Sequence, residues 1–242
     1  MPVAIVTGAS RGLGQALAEG LAAEGWSLVI DARSPEDLEA ASAVIAAAAS
    51  GPVVRVRAVP GDVTDPSHRR ALVSVAEELG GVDLVVNNAG TLGPSPLPEL
   101  AAFPLDGLRD ALEANLVAPL ALIQEAAHAL DRSPRPIVIN VTSDASAEPY
   151  PGWGGYGASK AALDQLSAVL AVERPGWTVW AVDPGDMRTR MHQDAFPGED
   201  ISDRPEPASV VPALLRLIGS DRPSGRVRAS EIGADDFAGA NR

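Results

Sequence analysis

Short apolar, β-rich runs alternate with helical stretches along almost the whole chain, and this alternation most narrows the possible folds. The strand-like runs fall at residues 3–7, 27–31, 53–58, 82–87, 136–142, 177–182 and, weakly, 226–228. Helical patterning occupies residues 12–24, 35–49, 66–79, 106–130, 159–172 and 207–218. A strand that is apolar on both faces must be covered on both faces, and the intervening helices are long enough to do it. The pattern predicts an α/β fold of Rossmann type: a doubly wound parallel sheet of about seven strands with helices on both faces. No linker or repeat divides the chain, so residues 1–242 are expected to form a single domain. The Ala-rich tract at 40–49 reads as the end of the second helix, because Ala is the best helix former.

Composition removes several classes of function. The balance of 19 basic to 32 acidic residues gives a net charge of −13, which repels nucleic acid and anionic lipid, so neither is an expected partner. No apolar run reaches the ~18 residues of a membrane span. The first strand begins at Val3, leaving no room for a signal peptide, so a cytoplasmic location is expected. The chain has no Cys, hence no thiolate chemistry, and its three scattered His make a multi-His metal site improbable. No metal is expected.

Between the first strand and the first helix lies Thr7-Gly8-Ala9-Ser10-Arg11-Gly12-Leu13-Gly14. Glycines there permit a tight turn and let backbone N–H groups approach a pyrophosphate at the positive end of a helix. The same letters satisfy G-x-S-x-G, the nucleophile elbow of an α/β-hydrolase. That reading fails on context: only one strand precedes Ser10, and His192 is the one plausible downstream base.

A second constellation is Tyr156-Gly157-Ala158-Ser159-Lys160, at the start of a helix. Residues i and i+4 share a helix face. An ammonium held beside a phenol favours phenolate and is expected to lower the Tyr156 pKa toward working pH. Such a phenol can hand a proton to a developing alkoxide or take one from an alcohol.

With these motifs together the chain resembles the short-chain dehydrogenase/reductase family in its single-domain form, essentially end to end. The TGxxxGxG turn is met at residues 7–14 and NNAG at Asn87-Asn88-Ala89-Gly90. The family's helix Asn is Asn115, its Ser is Ser143, thirteen residues before Tyr156, YxxxK is Tyr156 and Lys160, and Pro-Gly-x-x-x-Thr is Pro184, Gly185 and Thr189. The resemblance implies a catalytic set of Asn115, Ser143, Tyr156 and Lys160. Tyr156 would be the acid/base, and Lys160 would lower its pKa and hydrogen-bond the nicotinamide ribose. Ser143 would hold the substrate oxygen, and Asn115 would anchor a water linking Lys160 to solvent. Gly8, Ser10, Arg11, Gly12, Leu13 and Gly14 would hold the pyrophosphate end of a dinucleotide. Asp62 and Val63 would meet the adenine edge, Asn87, Ala89 and Gly90 the adenosine ribose, and Tyr156, Lys160, Pro184, Gly185 and Thr189 the nicotinamide side.

An acid about 20 residues after the glycines usually signals NAD, and Asp31 sits nineteen past Gly12. Alignment with the family's strand end instead puts Ala32 at the NAD-selecting position, with Arg33 where NADP-preferring members are basic. Arg11 takes the second such position. Two guanidiniums suit a ribose 2′-phosphate, so NADP(H) is expected in preference to NAD(H).

Three features depart from the family pattern: a shortened turn at 173–176, a last strand without the common Gly-Gly ending, and Asp186 after Pro184-Gly185, read as a helix cap. Specificity is assigned to residues 145–155 and to a Pro/Gly-punctuated lid at about 186–205. Tyr150, Trp153, Met187 and Met191, with Ser143, are the expected substrate contacts, and His192 is a lid residue rather than a second acid/base. The helices at 106–130 and 159–172 are more apolar than one buried face requires, and the resemblance implies a homodimer through them, a homotetramer being less secure. The reading is an NADP(H)-dependent oxidoreductase acting on a small carbonyl or secondary alcohol. The alternative is a non-catalytic dinucleotide-binding sensor on the same fold.

Overall fold

The computed structural model describes residues 1–233, so residues 234–242 of the expected single domain lie outside the described residues. Strands β1 (Val3–Val6), β2 (Ser27–Ala32), β3 (Val56–Pro60), β4 (Leu84–Asn87), β5 (Ile137–Val141), β6 (Thr178–Asp183) and β7 (Gly225–Arg228) form one sheet. It is parallel throughout, in the order β3-β2-β1-β4-β5-β6-β7. The chain winds outward from β1 to β3, then crosses back to β4 beside β1. The carboxyl ends of β1 and β4 therefore diverge, and a crevice opens where the winding reverses.

Two early helices begin at side-chain caps and the first at a turn. Helix α1 (Gly12–Ala23) follows directly from the Gly-rich turn, in which Gly8 and Gly12 adopt φ of 66° and 60°. Helix α2 (Pro35–Ala47) has Pro at its first position and Ser34 accepting from Asp37 N at 3.3 Å. Helix α3 (Pro66–Leu79) repeats the device with Asp65 and Ser67 N at 2.7 Å. Further on come α4 (Leu105–Leu112), α5 (Ala118–Leu130), α6 (Gly154–Glu173), α7 (Arg190–Ala195) and α8 (Val211–Gly219).

The two sheet faces carry separate cores. Leu17, Leu21, Ile30, Trp180 and Leu217 pack on one side, and Ile5, Leu72, Val85, Leu122 and Val179 on the other. This is why the strands read as continuous apolar runs rather than alternating ones.

Several boundaries differ from expectation, among them the start of α6, at Gly154 rather than 159. β3 lies at Val56–Pro60 rather than 53–58, in register with Leu28–Ala32 of β2, so sheet pairing outweighs the apolar start at Val53. The stretch 106–130 is not one helix: a π turn at Glu113–Val117 separates α4 from α5. The last helix opens as a 3-10 turn at Pro207–Ser209 before α8 begins. The lid segment contains its own short helix, α7.

Candidate active site

The crevice is a cleft of about 1750 Å³ running from the Gly-rich turn past the end of β5 to the lid. At its first end the turn is built by close backbone approach. The Thr7 hydroxyl donates to the Val86 carbonyl at 3.2 Å and accepts from Asn88 and Ala89 N, each at 3.0 Å. The Asn88 amide donates to the carbonyls of Thr7 and Gly8 at 2.8 and 3.1 Å. A Cβ on Gly14 would fall 2.4 Å from both the Gly8 carbonyl oxygen and the Asn88 amide nitrogen. Gly14 thus leaves no room for a side chain where α1 packs against the turn, a close approach of the kind Gly-rich anion-binding turns need.

Asp31 completes this end from beneath. It is buried, accepts from Gly8 N at 2.7 Å and meets His68 Nε2 at 3.0 Å. Burial raises its pKa, partly offset by His68 and the Gly8 N–H. Its carboxylate is committed to the turn. Outside it, Arg33 is exposed and faces Asp62. Burial would raise the Asp62 pKa, but the backbone and hydroxyl donors of Thr64, with Arg33 and His68, hold it below the ordinary range. Arg11 reaches across to Asp37 at 2.5 Å. Both arginines line the cleft, with Ser10, Gly12, Leu13, Asp62, Val63, Ala89 and Gly90.

At the middle, β5 ends and Ser143 caps a 3-10 turn at Asp144–Ser146. Its hydroxyl donates to Asp144 Oδ1 at 2.9 Å and accepts from Ala145 N at 3.2 Å. Helix α6 begins two residues before Tyr156, so Tyr156 and Lys160 sit in its first turns, both buried and both lining the cleft. Lys160 Nζ donates to the Val141 carbonyl at 2.7 Å and lies 5.6 Å from the Tyr156 ring centroid.

The expected depression of the phenol is not what this geometry produces. Burial pushes the Tyr156 pKa up; the Ser143 hydroxyl opposes the rise, and Asp144 and Asp183 add to it. Burial also brings Lys160 down to about 8, against the opposing pull of Asp164. Desolvation outweighs pair attraction because the ammonium spends its close contact on a carbonyl and not on the phenol.

Asn115 is fully buried within the π turn. Its amide nitrogen donates to the Thr91 carbonyl at 2.8 Å and to Ser159 Oγ at 2.9 Å, and its oxygen accepts from Thr91 N at 2.8 Å. Ser159 in turn donates to the Tyr156 carbonyl at 2.7 Å. The extra residue of a π turn frees a side chain in this way, and such turns recur at functional sites. Asn115 ties the loop after β4 to the helix carrying Tyr156, and it does not itself line the cleft.

Three other expected site residues lie off the cleft wall. Gly14 packs beneath the turn. Asn87 turns into the sheet and donates to Asn140 Oδ1 at 2.7 Å. Tyr150 is exposed and donates to Asp144 Oδ2 at 3.0 Å, touching the site only through that carboxylate.

At the far end, Trp153 stands edge-on to Tyr156, with ring centroids 5.7 Å apart, and faces Phe196 of the lid at 5.9 Å. Ser95 Oγ donates to the Asp194 carbonyl at 2.6 Å, so the lid rests against the loop after β4. Thr189, not Asp186, caps α7, accepting from His192 N at 3.2 Å. Asp186 instead faces His192 at 3.7 Å and Arg204 at 4.0 Å. Met187, Met191, Pro184, Gly185, Thr189 and His192 line the cleft.

Sequence reasoning missed Asn88, Asp31 as a structural acid, His68, Asp144 and Arg226. Asn88, inside a named motif, carried a signal; Asp31, His68 and Arg226 act through partners distant in sequence, and Asp144 acts through Ser143 beside it and Tyr150 six residues on. Among the described residues no group of His, Asp and Glu could hold a metal ion, and no helix is long and apolar enough to cross a membrane.

Comparison with known proteins follows the same lines. A family model described as short chain dehydrogenase matches residues 2–200. Sepiapterin reductase of Rattus norvegicus is 35% identical over 201 residues, covering 79% of this chain and 76% of that protein. An alcohol dehydrogenase from Thermococcus sibiricus, complexed with 5-hydroxy-NADP, superposes with a TM-score of 0.83 at 28% identity, over 94% of this chain and 95% of that one. A chain from Escherichia coli complexed with NADPH gives 0.86 at 27% identity, over 94% and 96%. On the sheet order, the Gly-rich turn and a family match spanning most of its length, this chain belongs to the short-chain dehydrogenase family of oxidoreductases.

Proposed function

We propose that the protein is an NADP(H)-dependent carbonyl reductase, or alcohol dehydrogenase in the reverse direction. The observation that carries this reading is the meeting of Ser143, Tyr156 and Lys160 midway along the cleft, between the Gly-rich turn and an aromatic lid. When bound, the nicotinamide supplies the hydride that adds to the carbonyl carbon. The protein supplies the rest. The Tyr156 O–H donates its proton to the carbonyl oxygen as the alkoxide develops, leaving phenolate and alcohol. The Ser143 hydroxyl, turned from Asp144, donates a hydrogen bond to the same oxygen. Lys160 holds the ribose hydroxyls and supplies positive charge beside the phenolate. Trp153, backed by Phe196, and the methionines Met187 and Met191 offer the substrate an apolar wall, which favours a partly apolar ketone or aldehyde.

Relatives that bind NADP or NADPH, and the two arginines at the first end of the cleft, support NADP over NAD. Arg33→Ala is expected to weaken NADPH by about 10- to 100-fold and to leave NADH nearly unchanged, the value of a charge-assisted contact to phosphate. Parallel fluorescence titrations check this, and equal effects on both cofactors would remove Arg33 from the selection.

The pH dependence follows from Lys160. Its ammonium is present below about pH 8 and lost above it, while burial keeps the Tyr156 phenol protonated through that range. Carbonyl reduction is therefore expected to be level below about pH 8 and to decline above it. A kcat/KM profile that stays flat well into the alkaline range would separate the Lys160 charge from the reaction.

The sensor alternative predicts dinucleotide binding without turnover, and a panel of ketones and aldehydes with NADPH distinguishes the two. For the homodimer, support comes from Val117, Val169 and Val172, exposed apolar side chains on the π turn and α6.

A further inference from the structure

Strand β7 looks like a plain edge: four residues, with Val227 buried in the core and arginines on either side. Because side chains alternate along a strand, Arg226 and Arg228 share the face opposite Val227. That face looks toward the catalytic turn. Arg226 Nε donates to Asp164 Oδ2 on α6 at 3.0 Å. Its Nη2 donates to the Ser143 carbonyl at 3.0 Å and, at a longer 3.4 Å, faces both Ser146 Oγ and Asp183 Oδ2. Ser146 Oγ also donates to Asp164 Oδ2, at 2.6 Å. Arg228 stands farther off, 3.8 Å from Asp183 and 4.0 Å from Glu148.

One guanidinium thus joins the three segments that must keep their spacing for proton transfer. These are the turn carrying Ser143, the helix carrying Tyr156 and Lys160, and the end of β6 that leads into Pro184-Gly185. We propose that Arg226 is a positioning residue for the reaction, fixing Ser143 against α6 and balancing two carboxylates beside the catalytic pair. The planar fork suits this use, since it can serve a carboxylate and a carbonyl from one fixed plane. The second part concerns charge. Tyr156 is faced by Lys160 on its own helix, by Asp144 from the 3-10 turn and by Asp183 from β6; Lys160 is faced by Asp164 one turn on. Both Asp164 and Asp183 are Arg226 partners. The Asp164 Oδ1 is buried with no hydrogen-bond partner, so Arg226 and Ser146 meet that carboxylate through its other oxygen alone. Removing the guanidinium would take the arginine partner from Asp164 and leave Asp183 with Arg228 at 3.8 Å, and the less compensated carboxylates would raise the pKa of Lys160 and Tyr156 together.

This inference rests on Tyr156 as the acid/base, and the test keeps the two apart. Arg226→Leu, Arg226→Gln and Arg226→Lys would be compared with the parent protein in NADPH-dependent ketone reduction across pH, alongside Tyr156→Phe. The neutral variants are expected to lose about 10- to 100-fold in kcat, as for a misplaced reacting group, with NADPH affinity held within about twofold. Their alkaline limb should move upward by about half a unit to one unit, a modest shift because the arginine is partly solvated. Arg226→Lys should return the limb to its original position while recovering only part of kcat, since an ammonium replaces the charge but not the fork. A merely structural role would lower activity or melting temperature without moving the limb. An unchanged kcat and pH profile in either folded neutral variant would overturn the proposal, as would a loss in the lysine variant equal to that in leucine with no shift in any. An active Tyr156→Phe would instead overturn the reading on which the proposal stands.

Discussion

Tyr156→Phe is expected to lower kcat for carbonyl reduction by about 10³-fold, within the range general acid catalysis contributes. The substitution is close to isosteric. The ring keeps its edge-on contact with Trp153 and its place against Leu92, Ala145 and Ala195, so packing is preserved and only the proton donor is removed. Because burial keeps the phenol protonated, the parent enzyme always has a proton to give and the variant has none. NADPH affinity should stay within about twofold, because the contacts expected to hold the dinucleotide are spread over the Gly-rich turn, Arg11, Arg33 and Lys160 and one lost hydroxyl is a small part of them. Steady-state rates with a reducible ketone and a parallel NADPH titration read both quantities. Retained turnover would mean that the acid/base is misassigned, and joint loss of turnover and binding would point to a structural role.

The second large effect belongs to Gly14→Ala. In an open helical position this change is mildly stabilising, since Ala is the better helix former. Gly219, at the end of α8 with nothing within 4 Å of an added Cβ, is the control. At Gly14 the new methyl would lie 2.4 Å from the Gly8 carbonyl oxygen, a backbone atom held by Asn88 and unable to swing aside. Either α1 shifts away from the turn or Gly8 is displaced, and each disturbs the N–H groups meant for the pyrophosphate. The expected cost is about 2–3 kcal/mol of stability, as for an overpacked core site. NADPH affinity should fall by at least about 100-fold, the equivalent of losing two charge-assisted hydrogen bonds. Chemical denaturation and fluorescence titration of both variants test this. A Gly14→Ala protein that matched Gly219→Ala in stability and cofactor affinity would contradict the described turn.

The sequence carries the fold clearly because the inner strands are short, apolar on both faces and separated by helices, the first three of which start at the Gly-rich turn or at a capping Ser or Asp. Local chemistry and burial agree at Ser34, Asp65 and the Gly-rich turn. It fails where the deciding partner is remote. The π turn around Asn115 has the same apolar spacing as an unbroken helix, and its cause is a buried amide answering Thr91 and Ser159. Asp31 reads as a ribose ligand by spacing, but its partners are the Gly8 N–H and His68, thirty-seven residues on. Asn87 belongs to a cofactor motif, yet its amide spends its bond on Asn140 in the next strand. The Tyr156–Lys160 pair is legible as a motif, whereas its electrostatics are not. Four-residue spacing brings the groups near each other, and only the depth of burial shows that the phenol is shifted up and the ammonium down. Arg226 is the extreme case: a charged residue in a weak edge strand, bonded to a carbonyl eighty-three positions earlier.

The most direct test of the central claim is a parallel titration of the purified protein with NADPH and NADH, followed by nicotinamide fluorescence. Tighter binding of NADPH by about tenfold or more is predicted, from the phosphate contacts proposed for Arg11 and Arg33. Binding of neither dinucleotide would contradict the proposed enzyme at its foundation.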